Sequence, residues 1–269
     1  MHKIGILLPV YINDRLIYFE KAITSILHQT CPDIDIIICK DGPIAGEIDL
    51  FIQGIKERNV VVVEEQVNTG LAAILNKGLQ YCLSRDYEFI GRMDADDVSD
   101  LRRFEKQMKF LRENPDIDCV GTWAAEVDEL DNVIFYKKMP VRHEECYKFF
   151  MKRDLLVHAT ALFRREFFLK AGLYPTTTFF AEDTLLWANG LKNNCRFANI
   201  PEYLYQFRID HDFFSRRRGI RHAFNLLRLR FRINKYLHYP WVAYLYAAAY
   251  SIIKLMPGTL IKTAYNKLR

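Results

Sequence analysis

An apolar segment runs directly into a cluster of carboxylates in residues 88–97, EFIGRMDADD. The segment from Glu88 to Arg92 predicts a β-strand. Three acidic residues follow at its end, namely Asp94, Asp96 and Asp97. Carboxylates this close repel one another, and a bound cation relieves the repulsion. Hard oxygen ligands that leave room for water suit Mg²⁺ or Mn²⁺ held jointly with substrate phosphates, so the stretch predicts a divalent metal site.

The same carboxylates have a plainer interpretation, because Asp is common in solvated turns and at helix N-caps. Two features favour the metal site. The cluster follows an apolar strand directly, and Arg92 stands beside it as a cation that can meet a phosphate or a sugar hydroxyl.

Strands and helices alternate through the first hundred residues. Apolar runs that suit buried strands lie at residues 4–10, 34–39, 60–63 and 88–92. Helical periodicity follows in residues 16–27, 71–81 and 101–111, with Asp14 as a candidate N-cap of the first helix. This alternation predicts an α/β fold whose Rossmann-like, mostly parallel sheet carries helices on both faces. The second half is less regular, with strand-like pieces near residues 119–122, 133–136, 159–163 and 203–207.

Several polar residues stand where these strands end, and ligands bind at that edge of such sheets. Tyr11 can stack on a base or pack on its neighbours. Asp41 can accept a hydrogen bond from a nucleobase imino group or a ribose hydroxyl, or it can form a simple Asp-Gly turn. Asn68-Thr69-Gly70 opens a helix whose free N–H groups favour an anion. Neither GxxxxGK[ST] nor GxGxxG is present, so P-loop hydrolysis and NAD chemistry lose support.

Further along the chain, Ala181-Glu182-Asp183 introduces a predicted helix. The two carboxylates are candidate helix caps, or Asp183 is a general base toward an incoming hydroxyl. The histidines show no metal-ligand spacing, although His211-Asp212 is a weak candidate for a ligand-facing pair. The six cysteines are scattered without a CxxC pair, and the N-terminal apolar run is too short for a signal peptide, so we expect reduced thiols and a cytoplasmic protein.

The charge of the chain is divided unevenly. From Phe213 onward there are twelve Lys or Arg and no Asp or Glu, whereas the first 212 residues hold 26 basic and 33 acidic residues. Arg217, Arg221, Arg228, Arg232 and Lys235 line one side of a predicted helix, from which Arg230 departs. The uncharged run from Tyr236 to Ile253 is short of the ~20 residues that span a bilayer. We expect this tail to lie on a membrane surface, with packing on the body or on a second subunit as the alternative.

Together these segments resemble family 2 glycosyltransferases of the GT-A fold, of the kind that assembles bacterial polysaccharide and O-antigen. The resemblance spans residues 4–208 and rests on an ordered series of short motifs: LPVY at 8–11, SILHQT at 25–30, DG at 41–42, NTGLA at 68–72, NKG at 76–78, RMDADD at 92–97, NPDI at 114–117 and ED at 182–183. The chain departs from the family at Lys40 and Pro43, and YQFR at 205–208 echoes the family's later Arg-containing motif only loosely.

The resemblance implies a role for each matching residue. Asp41 and Tyr11 would hold the uracil of a UDP-sugar, with Pro9 and Gly70 completing the nucleotide site. Asp94 would face the ribose and diphosphate, and Asp96, together with Asp94, would bind Mn²⁺ or Mg²⁺. The donor sugar and diphosphate would be contacted by Arg92, Asp97 and Glu182. Asp183 would be the base of an inverting transfer.

The resemblance therefore implies an inverting, metal-dependent hexosyltransferase that uses a UDP-sugar, with galactose or glucose favoured. Its acceptor would be a lipid-diphosphate-linked sugar at the inner face of the cell membrane. Residues 1–212 would form the GT-A domain, with a nucleotide-binding half (1–100) and an acceptor-binding half (101–212), and residues 213–269 the membrane-associating tail.

Two other functions compete with this hypothesis. A sugar-nucleotide nucleotidyltransferase would want a Gly-rich, basic loop after the first strand, which Pro9-Val10-Tyr11 does not supply. A nucleic-acid-binding module could use the basic tail, but an acidic body disfavours contact with a phosphate backbone, and we expect no nucleic acid partner. The pattern does not predict the oligomeric state.

Overall fold

The computed structural model describes residues 3–31, 33–177, 181–210 and 219–255 of the chain. The strands within these ranges are β1 (Lys3–Val10), β2 (Ile34–Asp41), β3 (Val60–Glu65), β4 (Tyr87–Arg92), β5 (Val98–Ser99), β6 (Cys119–Val127), β7 (Val133–Lys137), β8 (Leu162–Arg164) and β9 (Phe197–Arg208). The helices are α1 (Leu16–Leu27), α2 (Gly46–Gly54), α3 (Leu71–Leu83), α4 (Arg103–Glu113), α5 (His143–Phe150), α6 (Arg165–Ala171), α7 (Glu182–Lys192), α8 (Ile220–Tyr236) and α9 (Val242–Ile253). A short 3₁₀ turn, His158–Thr160, precedes β8.

These strands form one sheet in the order β3-β2-β1-β4-β8-β6-β9-β5, with β7 paired to β6. Strands β3, β2, β1 and β4 are parallel neighbours. Strand β8 runs antiparallel to β4 and to β6, and β6 in turn is parallel to β9. Strands β1 to β4, all within the first 100 residues, thus form a continuous parallel part of the sheet.

Alternate side chains of the central strands enter two separate cores, because successive residues of a strand point to opposite faces. Ile36 of β2 lies in one core with Phe19 of α1. Its neighbour Ile37 lies in the other core with Leu75 of α3. Helices α1, α2 and α4 cover the first face, and α3, α5, α6 and α7 cover the second. The predicted arrangement of helices on both faces of the sheet is confirmed.

Some local predictions were wrong. Helices α2 and α6 were not predicted, and β9 begins at Phe197, well before the expected residue 203, because it pairs with β6 along its length. Leu101 was expected on the buried face of a helix, but α4 begins at Arg103 and Leu101 is 52% exposed. The six cysteines, for which we expect reduced thiols, are free and buried.

The tail packs on the body. Ile233, Leu237 and Ala243 belong to the same core as α3 and α7. The Tyr239 hydroxyl donates to the backbone oxygen of Tyr147 at 2.8 Å. The expected domain boundary at 212/213, His211, Asp212 and Arg217 lie outside the described residues. Within the part of the chain that the structure describes, no helix has both the length and the hydropathy that crossing a bilayer requires.

Candidate active site

Three parallel strands bring their carboxyl ends to one edge of the sheet. Val10 of β1 is in register with Lys40 of β2, and Leu7 of β1 with Arg92 of β4. The residues that follow these strands therefore lie side by side. A cleft at this edge is lined in part by Tyr11, Asp14, Tyr18, Asp96, Arg208 and Asp210. The structure thus brings the predicted base-stacking residue and the predicted metal ligand into one cleft.

The carboxylate cluster is compact. Asp94, Asp96 and Asp97 each offer an oxygen, and these oxygens lie within 4.8 Å of one another. Desolvation and the nearby Asp94 raise the pKa of Asp96 to about 6, and desolvation raises the pKa of the buried Asp97 well above its usual range. Carboxylates that resist ionisation together are stabilised by a cation, and three of them form a donor set that suits Mg²⁺ or Mn²⁺. The residues present therefore fit the metal that the sequence predicts.

Buried arginines hold this cluster in place. The Arg92 guanidinium forms an ion pair with Asp94 and donates to the backbone oxygen of Met93. From β9, the Arg208 backbone N–H donates to Asp97 Oδ1 at 2.7 Å, and its side-chain Nε donates to the Asp96 backbone oxygen at 2.8 Å. Arg208 was noted only as part of a loosely matching motif, and the pairing of β9 with β5 and β6 is what delivers it to the cluster.

Asp14 was also missed as a site residue. It was expected to cap α1, but the N-cap is Arg15, and Asp14 Oδ2 instead accepts from the Tyr11 backbone N–H at 2.8 Å. Desolvation and the charges of Asp96 and Asp94 raise the pKa of Asp14 to about 7, so Asp14 lies within electrostatic range of the carboxylate cluster. The Asp14 backbone N–H also donates to the Tyr11 backbone oxygen at 3.1 Å, so the two residues close a turn directly after β1. An acidic residue in the turn that follows a parallel strand was the signal that could have placed it.

Asp41 binds the start of α3. Its Oδ1 accepts from the Thr69 backbone N–H at 2.7 Å and from Thr69 Oγ1 at 3.1 Å, and Oδ2 accepts from the Gly70 backbone N–H at 3.1 Å. The anion that the sequence led us to expect at this helix start is therefore a carboxylate of the chain itself. Gly42 has a positive φ of 76°, and a Cβ there would lie 2.5 Å from the Asn68 nitrogen, so the turn requires glycine.

The second group of carboxylates lies at the start of α7. Neither predicted cap residue caps the helix, since the N-cap is Ala181. Asp183 is partly exposed, and desolvation together with the charges of Asp154 and Glu182 raises its pKa to about 7. The Thr184 backbone N–H donates to Asp183 Oδ1 at 2.7 Å. A carboxylate with a pKa near 7 is suited to accept a proton at neutral pH.

Tyr174 lies near both parts of the site. Its buried hydroxyl is within electrostatic range of Arg92, which forms an ion pair with Asp94, and of Asp183 and Glu182. His158 Nε2 lies 2.9 Å from this hydroxyl. Asn76 of α3, which belongs to the NKG motif, holds the Tyr174 backbone through two hydrogen bonds of 2.8 and 2.9 Å. Of the other predicted nucleotide-site residues, Pro9 on β1 and Gly70 before α3 are partly exposed.

The chain is similar in sequence to known glycosyltransferases. Residues 6–172 match the family described as Glycosyl transferase family 2. The chain is 27% identical to UDP-Gal:alpha-D-GlcNAc-diphosphoundecaprenol beta-1,3-galactosyltransferase of Escherichia coli, over 85% of this chain and 82% of the relative. It is 32% identical to the Escherichia coli O-antigen biosynthesis glycosyltransferase WbnJ, over 78% of this chain and 80% of the relative.

Solved structures agree on the fold. The mannosyltransferase PcManGT from Pyrobaculum calidifontis, in complex with GDP-Man and Mn²⁺, superposes with a TM-score of 0.63 at 18% identity, covering 99% of this chain and 80% of the neighbour. S. aureus TarS 1–349 in complex with UDP-GlcNAc also superposes with a TM-score of 0.63, at 14% identity, covering 94% of this chain and 82% of the neighbour. The full TarS chain is matched over 44% of its length. The expected GT-A fold is confirmed.

Proposed function

The chain belongs to glycosyl transferase family 2, and on that premise we propose that it moves a hexose from a UDP-sugar to a sugar hydroxyl, with inversion, in the synthesis of a bacterial surface polysaccharide. The observation that carries the proposal is the pairing of a compact carboxylate cluster at the strand ends with a separate carboxylate, Asp183, whose pKa is raised to about 7. The first suits a diphosphate-bound metal ion, and the second suits a base.

The names of the relatives support the choice of substrates. One relative at 27% identity uses UDP-Gal and an acceptor with a GlcNAc-diphosphoundecaprenol, and another at 32% is assigned to O-antigen biosynthesis. We propose galactose or glucose as the sugar and a lipid-diphosphate-linked sugar as the acceptor.

In this reaction the nucleotide and the metal-bound diphosphate of the donor would bind at the edge of the sheet where the parallel strands end. Asp96 and Asp94 would hold Mn²⁺ or Mg²⁺, with Asp97 completing the cluster. A divalent ion at this place supplies Lewis-acid stabilisation of the negative charge that develops on departing UDP. Arg92 is buried against Asp94 and adds a second positive charge toward the diphosphate. Tyr11, Pro9, Asp41 and Gly70 would hold the uridine, and Glu182 would contact the donor sugar.

Asp183 would perform the proton transfer. Its carboxylate accepts the proton of the acceptor hydroxyl while that oxygen forms a bond to the anomeric carbon. The bond from the anomeric carbon to the UDP oxygen breaks on the opposite face, and the electron pair leaves with UDP. A single displacement of this kind inverts the anomeric configuration.

A donor panel tests the proposed function. We expect the protein, supplied with Mn²⁺ and a lipid-diphosphate-GlcNAc analogue, to release UDP from UDP-galactose or UDP-glucose at least tenfold faster than it releases GDP from GDP-mannose. The readout is nucleotide release together with mass spectrometry of the glycosylated acceptor. Release of pyrophosphate from UTP and a sugar phosphate would instead identify a nucleotidyltransferase, and preferred use of GDP-mannose would contradict the proposed donor.

We also propose that the tail holds the enzyme on the inner face of the cell membrane. Helix α9 leaves an apolar stripe uncovered, where Trp241 is 74% exposed and Leu245 55% exposed. The neighbouring α8 exposes cations, namely Arg221, Arg228, Arg232 and Lys235. Apolar side chains beside cations are suited to the interface of an anionic bilayer, where each cation contributes about 1 kcal/mol.

Vesicle flotation tests the membrane proposal with the full chain, since a truncation would remove Ile233 and Ala243 from the core. We expect Trp241→Ser with Leu245→Ser to reduce binding to anionic phosphatidylglycerol vesicles about tenfold or more, because two apolar side chains are withdrawn from the interface. Leu50→Ser is the matched control, since Leu50 is an exposed leucine on α2. Equal flotation of all variants, or failure of the unmodified protein to float, would contradict the proposal.

A further inference from the structure

Helix α8, the first helix of the tail, is linked to the proposed base by a continuous set of hydrogen bonds. Arg230 is only 3% exposed, and its Nη2 donates to Asp154 Oδ1 at 3.0 Å. Thr184 Oγ1 donates to the same Asp154 oxygen at 2.8 Å. The backbone N–H of Thr184 donates in turn to Asp183 Oδ1 at 2.7 Å. A cation from the tail thus stands two side chains away from Asp183.

We propose that Arg230 is a positioning residue for the transfer reaction, which holds Asp154 against Thr184 and thereby fixes the carboxylate of Asp183. Helix α8 then completes the acceptor side of the active site as well as packing on the body. The inference rests on the proposed role of Asp183 as the base.

The chemistry of Arg230 supports a role beyond helix packing. The Arg230 guanidinium lies 5.1 Å from the centre of the Phe150 ring, and its Nη1 donates to the Phe150 backbone oxygen at 3.0 Å, at the end of α5. An apolar side chain would pack against this ring and beside Ile233 without the cost of burying a charge. Replacement of buried ion pairs by apolar residues is often neutral or stabilising, so the docking of α8 alone does not call for an arginine.

The charges around Asp183 predict opposite effects of two substitutions on its pKa. The titratable groups that face it are Glu182 on its own helix, Asp154 before the 3₁₀ turn, Tyr174 before α7 and Arg230 on α8. Asp154 and Glu182 raise the pKa of Asp183, and Arg230 lowers it. Removal of Arg230 and removal of the Asp154 charge should therefore move the ionisation of Asp183 in opposite directions.

The test is the pH profile of kcat/KM for transfer from the UDP-sugar to the lipid-diphosphate-GlcNAc analogue. A base must be ionised to act, so activity falls as the pH drops through its pKa, here about 7. This fall in activity is the acid limb of the profile. We expect Arg230→Met to move the acid limb to higher pH by about one unit, and Asp154→Asn to move it to lower pH. Arg230→Lys should keep it near its original place.

Ile233→Ala is the matched control, because Ile233 is buried one turn further along α8 and carries no charge. It loosens the same helix, and we expect the limb to stay in place. The proposal is overturned if Arg230→Met and Asp154→Asn leave the limb unmoved, or if Ile233→Ala moves it as far as Arg230→Met does. Should Arg230→Met not fold, Arg230→Gln is measured in its place, because it removes the charge but keeps a side chain that can donate to the Phe150 backbone oxygen. The same upward shift is expected, and an unmoved profile overturns the proposal.

Failure of this inference is distinguishable from failure of the proposed function. If Asp183→Asn is inactive but the acid limb does not move in the Arg230 and Asp154 variants, Asp183 is still the base and only the role of Arg230 is refuted. An Asp183→Asn enzyme that keeps full activity removes the base assignment, and the role of Arg230 falls with it.

Discussion

Asp183→Asn is expected to abolish sugar transfer while UDP and Mn²⁺ still bind. An amide has nearly the same shape as the carboxylate but cannot accept the proton of the acceptor hydroxyl, and a positioned base contributes about 10²–10⁴-fold to the rate. Asp183 lies in the first turn of α7 and does not belong to the carboxylate cluster, Asp94, Asp96 and Asp97, that follows β4. The measurement is the transfer rate, together with calorimetric titration of UDP in the presence of Mn²⁺.

The control for this variant is Asp86→Asn, which makes the same chemical change at an exposed position in the turn before β4. We expect it to transfer sugar at the rate of the unmodified enzyme. If Asp183→Asn lost UDP binding to the same extent as transfer, Asp183 would belong to the donor site or to the folding of the α7 region, and the proton would need another acceptor.

Strands β1, β2 and β4 could be predicted because they are buried on both faces. Such strands are rich in apolar residues throughout, and the predicted runs at residues 4–10 and 34–39 coincide with β1 and β2 to within two residues. Helix α2 was missed for the opposite reason. It buries only Ile48 and Ile52, which is too little apolar periodicity to recognise in nine residues.

The site could be predicted as far as strand ends and local spacing allow. Residues that follow parallel strands meet at one edge, so Tyr11 and the aspartates after β4 could be placed before the structure was known. Arg208 reaches Asp97 across 111 positions of sequence, through the pairing of β9 with distant strands. No local pattern encodes a contact of that kind.

The sequence predicted which arginines of α8 are exposed, but not what the remaining arginine contacts. The predicted basic stripe is real for Arg221, Arg228 and Arg232, which are exposed on α8. Arg230 departs from it because that side of the helix faces the protein, where Asp154 supplies a partner. The departure was visible in the sequence, but its partner on another element was not.

Asp96→Ala is expected to remove both activity and its dependence on divalent metal. Asp96 contributes one of three carboxylates whose oxygens lie within 4.8 Å of one another. Metal-assisted departure of UDP is worth several kcal/mol, which corresponds to a loss of about a thousandfold in rate. The measurement is UDP release by EDTA-treated enzyme during titration with MnCl₂, together with direct Mn²⁺ binding followed by electron paramagnetic resonance.

Stability separates this effect from unfolding. Folding raises the pKa of Asp96 from 3.8 to about 6. In the metal-free protein, ionisation of Asp96 therefore lowers the free energy of unfolding as the pH rises from 3.8 through about 6, and this loss is complete above that pH. Removal of the carboxylate should therefore not lower the melting temperature at pH 7.5. Asp100→Asn is the control, because it removes a nearby charge while keeping an oxygen that can accept from the Arg102 N–H, and we expect normal activity and metal dependence. Transfer by the unmodified enzyme in excess EDTA would refute the metal assignment.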